Sequence, residues 1–121
     1  MAAFTKVLLS GSTGGRAIKV AAIGSPGTTI HTTGVSATII DEIWLYAYNS
    51  SASTVQLTIE FGNTTAPDNQ IKISIPATSG LTLITPGLIL TGFGSSTQTI
   101  GAFAGTANVL TISGYVNRIT P

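Results

Sequence analysis

Polar and apolar residues alternate with a period of two along most of the chain, the spacing of a strand with one face buried. Residues 54–61 are the clearest case. Val55, Leu57, Ile59 and Phe61 point one way, and Thr54, Gln56, Thr58 and Glu60 point the other. Residues 70–75 repeat the pattern, with Ile71, Ile73 and Ile75 set against Lys72 and Ser74. The stretch between them, 62–69, is rich in Gly, Asn, Pro and Asp and predicts a hairpin with a long tip. The same reading predicts strands over 16–23 (Ile18, Val20 and Ala22 on one face), 28–32, 39–49, 97–103 and 108–119. Residues 80–84 and 88–91 read as two strands flanking a break at Thr85-Pro86-Gly87.

Gly and Pro clusters punctuate these runs every 8–12 residues or so, and no long segment carries a helical period. The expected fold class is therefore all-β. About seven to nine strands form a two-sheet antiparallel sandwich, jelly-roll-like or immunoglobulin-like, in a single domain over 1–121. Residues 1–15 are either an N-terminal arm leaving the body or a first strand inside it.

One strand does not suit a solitary sandwich. Over 39–49, one face carries Ile43, Leu45 and Ala47 and the other carries Trp44, Tyr46 and Tyr48. An antiparallel sandwich strand ordinarily shows a polar face to water. Three arrangements fit. The aromatic face is the core and a loop covers the aliphatic one; or one face is buried against a neighbouring subunit; or the rings form a stacking platform for sugars. Trp44, Tyr46, Tyr48, Ile43 and Leu45 are accordingly the candidate subunit-interface residues, because Trp and Tyr are favoured at such contacts.

Composition sharpens the picture. Only 7% of the 121 residues are charged, against roughly 25% in an ordinary soluble domain. Yet 43% are hydrophobic, which sets the chain apart from disordered sequences. The net charge of +1 comes from scattered residues, so no basic footprint for nucleic acid or anionic lipid is visible. No apolar run approaches the ~20 residues of a membrane span, and the N-terminus does not read as a signal peptide. So uncharged a surface favours association.

Candidate chemistry is sparse. With no cysteine, thiolate metal sites, disulfides and cysteine nucleophiles are excluded. The single histidine, His31, would need a serine and Asp41 or Asp68 to form a triad, and no serine occupies a G-x-S-x-G elbow. His31 reads as a surface or satisfied histidine. Paired carboxylates would need two of Asp41, Glu42, Glu60 and Asp68 across one cleft. Asp41 and Glu42 are adjacent and read as a solvated pair on opposite faces where the strand begins. Asn63, Asp68 and Asn69 offer too few carboxylates for calcium, and residues 11–15 lack the lysine of a phosphate loop. Asn49 and Asn63 begin short glycosylation-type triplets. The chain reads as non-enzymatic, without cofactor or metal.

The stretches Leu8-Leu9-Ser10-Gly11-Ser12-Thr13-Gly14-Gly15-Arg16-Ala17-Ile18-Lys19-Val20, Thr28-Thr29-Ile30-His31-Thr32 and Asp41-Glu42-Ile43-Trp44-Leu45-Tyr46-Ala47, with the ending Ile112-Ser113-Gly114-Tyr115-Val116-Asn117-Arg118-Ile119-Thr120, resemble the small β-rich virion proteins of tailed bacteriophages, especially head decoration or capsid-stabilising proteins. The resemblance implies many copies on a capsid surface, often as homotrimers, with the major capsid protein as partner. It implies no catalytic residue. Such a protein would sit in the host cytoplasm during assembly and in the virion thereafter. A tail, fibre or baseplate component and a carbohydrate-binding module are the alternatives.

Overall fold

The computed structural model describes residues 2–78 and 80–121. Nine strands are present among them: β1 (Ala3–Val7), β2 (Ile18–Lys19), β3 (Thr28–Thr32), β4 (Ile40–Asn49), β5 (Val55–Gly62), β6 (Gln70–Ile75), β7 (Thr82–Leu90), β8 (Thr99–Ala104) and β9 (Leu110–Thr120). They form two antiparallel sheets. The first runs β1-β9-β4-β7, with β2 also pairing β9, and the second runs β3-β8-β5-β6.

The pairings β2 with β9, β3 with β8, β4 with β7 and β5 with β6 describe one long antiparallel ribbon. Rolled up, the ribbon brings β9 against β4 and β8 against β5. That is the jelly-roll arrangement of eight strands. It decides against the immunoglobulin-like order, in which hairpin neighbours are grouped differently. β1 is an addition, continuing the edge of the first sheet beyond the short β2.

The core lies between the sheets. From the first come Ile43, Leu45, Ala47, Ile84, Leu110, Ile112 and Val116; from the second come Ile30, Val55, Leu57, Ile59, Ile75, Ile100 and Ala102. These are the apolar residues of the period-two pattern. Each fully buried aliphatic side chain contributes roughly 1.5–3 kcal/mol relative to its exposed state.

Two strands depart from the expectation. The run 16–23 ladders only at Ile18 and Lys19, opposite Ile112 and Thr111. β1 occupies β9 from Val116 to Thr120, which leaves little of that edge to β2. Conversely, 80–84 and 88–91 belong to a single strand, β7. It passes Pro86 by two register shifts against β4, between Ile43 and Trp44 and between Leu45 and Tyr46. Proline lacks an N–H, and among the described residues β7 pairs with β4 alone, an edge position that tolerates a missing donor.

Residues 3–7 are in the first sheet. Beyond them the chain crosses to the second. Leu9 is buried, Gly11 N–H donates to Ile30 O, and the Thr32 N–H donates to Ser10 Oγ.

Candidate functional site

The alternation of β4 resolves in one sense. Ile43, Leu45 and Ala47 are wholly buried, and Trp44, Tyr46 and Tyr48 are half-buried on the outer face. The arrangement with an aromatic core is therefore overturned, because the facing sheet supplies aliphatic partners to the smaller side chains. Ile43 and Leu45 are corrected as interface candidates for the same reason. They expose no surface.

Register places the rest of the outer face. Trp44 is opposite Tyr115 on β9 and Pro86 on β7; Tyr46 is opposite Ser113 and Leu83; Glu42 is opposite Asn117 and Ile89. At one end, Phe4, Ile119 and Ile40 line up across β1, β9 and β4. Phe4 is 77% exposed, Ile89 59% and Leu83 43%. Among the described residues, Lys6, Lys19 and Glu42 are the charged side chains on the strands of this outer face.

Trp44 is held firmly. Its ring lies nearly parallel to that of Tyr115, with centroids 6.1 Å apart and planes 13° from coincidence. Lys6 Nζ sits 4.6 Å from the Tyr115 centroid, a cation–π contact. Trp44 Nε1–H donates to Glu42 Oε1 at 2.8 Å, and Asn117 Nδ2–H donates to the same oxygen at 3.0 Å. These two bonds hold the Glu42 carboxyl below the usual range against a smaller opposing effect of burial. On the other flank Gly87, at φ +82°, leaves room that a Cβ would take from the indole, 3.0 Å from Cζ2. The row Lys6–Tyr115–Trp44–Gly87 thus crosses all four long strands of the first sheet. The sequence singles out Trp44, Tyr46 and Tyr48 but not Tyr115, Phe4 or Leu83, because their common face depends on which strands are neighbours.

The polar candidates lie elsewhere. His31 is buried, as a satisfied histidine rather than a surface one. Ser10 N–H donates to its Nδ1 at 3.1 Å, so Nε2 carries the proton and donates to Asp41 Oδ2 at 2.8 Å. Arg118 completes the cluster through Nε–H to Oδ1 at 2.8 Å and Nη2–H to Oδ2 at 2.9 Å. The reading of Asp41 as solvated is corrected. It is 1% exposed and points inward between β4, β9 and β3. Burial pushes its carboxyl up, but the hydrogen bonds from Arg118 and His31, with the Arg118 charge, outweigh this and bring it below its ordinary value. The Arg118 guanidinium is held correspondingly higher by Asp41.

A histidine, an aspartate and a serine do meet here, but not as a nucleophilic triad. Ser10 presents its backbone N–H to the imidazole, while its Oγ accepts from Thr32 N–H. The carboxylates do not pair either. Asp41 faces inward, Glu42 lies on the outer face of the first sheet, and Glu60 lies on that of the second. Asn63 Oδ1 accepts from Thr64 N–H within its own turn, and Asn69 Nδ2–H donates to Phe61 O. Asn49 is wholly buried and its amide donates to Ser53 O and Ile75 O, which leaves no room for a glycan. Among the described residues, no group of three His, Asp or Glu side chains is arranged to hold a metal ion.

No protein-family model matches this chain, and no curated protein matches it either. The feature that stands out from the geometry is the aromatic outer face of the first sheet.

Proposed function

We propose that this chain is a non-enzymatic structural subunit of a virion, a decoration or cement protein. It binds the outside of a phage head and stabilises it through subunit contacts, with the major capsid protein and further copies of itself as partners. The observation that carries the reading is the outward row of Trp44, Tyr46, Tyr48 and Tyr115, flanked by exposed Phe4, Leu83 and Ile89. Trp and Tyr bury large areas while keeping a polar tip satisfied, and they anchor protein interfaces for that reason. Jelly rolls recur in viral capsid domains, as they do in lectins and cupins. That support is analogy at the level of fold. The step from assembly subunit to head decoration rests on the sequence resemblance, and multivalent attachment to a repeating shell would turn modest contacts into a strong hold.

The test is the copy number and location of the chain in purified particles, together with its state in solution. Decoration predicts an oligomer, favoured as a trimer, and far more copies per particle than any tail component. Trp44→Lys should then give a folded monomer that no longer attaches to heads. A dilute monomer that never co-purifies with heads would overturn the proposal. The near-parallel Trp44 and Tyr115 rings also suit stacking against a sugar. Glycan-array binding that disappears in Trp44→Ala would favour that second reading.

A further inference from the structure

The outer face of the second sheet carries a feature that the outer face of the first does not explain. Glu60 points outward from β5, opposite Gly101 of β8, and Gly101 in turn lies opposite Thr29 of β3. Outward carboxylates are ordinarily wet. Glu60 is 2% exposed, because residues 25–27 fold over it. Ser25 Oγ–H donates to Oε2 at 2.6 Å and Gly27 N–H donates to Oε1 at 2.7 Å.

Both donors are neutral. At Asp41 the chain supplies a guanidinium and an imidazole N–H; at Glu60, among the described residues, it forms no ion pair. The nearest cation by register is Lys72, opposite Thr58 one outward position along, and it stays exposed. A buried carboxylate without a countercharge is costly, and the cost is relieved when a cation arrives.

There is room for one. A cleft of about 440 Å³ opens beside Glu60, between Thr29 and Thr99 on one side and Asn63 and Thr64 on the other. All of its lining except Glu60 is uncharged, and none of it is aromatic. The missing aromatic platform argues against a sugar, which stacks as well as hydrogen-bonds. The single carboxylate argues against calcium. A basic side chain meets every feature. Its cationic head pairs with the carboxylate, its remaining N–H groups find hydroxyl and carbonyl acceptors, and its stem fills the cleft.

We propose that this cleft receives a lysine or arginine side chain from a partner protein, with Glu60 as its countercharge. The site lies on the opposite sheet from Trp44 and stands whatever covers that face.

The test is an NMR titration of the ¹⁵N-labelled chain with Nα-acetyl-arginine amide and, separately, with its neutral isostere Nα-acetyl-citrulline amide. The arginine probe should shift the amides of Gly27, Thr99 and Gly101, and the citrulline probe should not. Glu60→Gln should weaken the arginine response by roughly tenfold or more, the loss of a charge-assisted hydrogen bond. Because Glu60→Gln also disturbs the 25–27 loop, a second variant keeps the carboxylate. Thr29→Lys places a tethered ammonium in the cleft and should abolish the response in a folded protein. No shift with the arginine probe, equal shifts with both probes, or an undiminished response in Thr29→Lys would each overturn the proposal.

Discussion

Removing the Asp41 carboxylate takes the shared acceptor from the buried His31 and the partly buried Arg118 at once. His31 and Arg118 lie on β3 and β9, so the cluster ties the second sheet to the first. Leaving such donors unpaired costs more than the pair was worth when intact. Asp41→Ala should therefore lower stability by about 3 kcal/mol in urea denaturation at neutral pH. The acid limb follows with a definite sign. The folded-state pKa of Asp41 lies below its ordinary value of 3.8, so its contribution is complete above that value and fades as pH falls through the lower, folded one. Denaturation midpoints measured below pH ~4 should drop more steeply for the parent chain than for Asp41→Ala. Little of this was legible in the sequence. Asp41 and Arg118 are 77 positions apart, and a polar residue at the start of an alternating strand gives no sign of which face it joins. The same holds for Glu60, whose outward position was readable but whose cover by residues 25–27 was not.

Strands match their expected bounds where the apolar alternation alone sets their extent. β3, β4, β5 and β6 lie within a residue or so of their expected bounds, because the inward positions must be apolar whatever the topology. β2 and β7 were misjudged because their extent depends on a neighbour: β1 competing for β9, and an edge position tolerating Pro86. The extra residue at Gly87 is part of the same device. Its positive φ and its closeness to the indole both resist a side chain. Gly87→Ala should cost about 1–2 kcal/mol and change the Trp44 fluorescence spectrum. Gly94 has a similar φ, +89°, but open space around it, so Gly94→Ala should cost only the backbone part, about 1 kcal/mol, and leave that spectrum unaltered.

For the whole molecule, the period-two pattern specified two half-buried sheets but not the order of strands within them. Alternation says which way a side chain points and nothing about who stands beside it. The rolled ribbon emerges only from the pairings. Nor could alternation choose between the two apolar faces of β4; the aliphatic set won because the opposing sheet presents Leu57, Ile59, Ile100 and Ala102. With the aromatic set left outside, a surface carrying so few charges has a further consequence. Association through it should be hydrophobic in character, so sedimentation equilibrium should show assembly maintained or strengthened as salt is raised to about 1 M, where ionic contacts are screened. Dissociation under those conditions would assign the contact to charged groups instead.

Ala3 lies directly across from Thr120 in the ladder between the first strand and the last. Anything joined to either end would leave the molecule from the same corner, beside the exposed ring of Phe4. A body docked over that corner would meet both ends together, and the 62–69 hairpin tip stands at the same end of the sandwich, because Gly62 comes close to Leu90, the ladder partner of Asp41, which pairs with Arg118 near the end of β9.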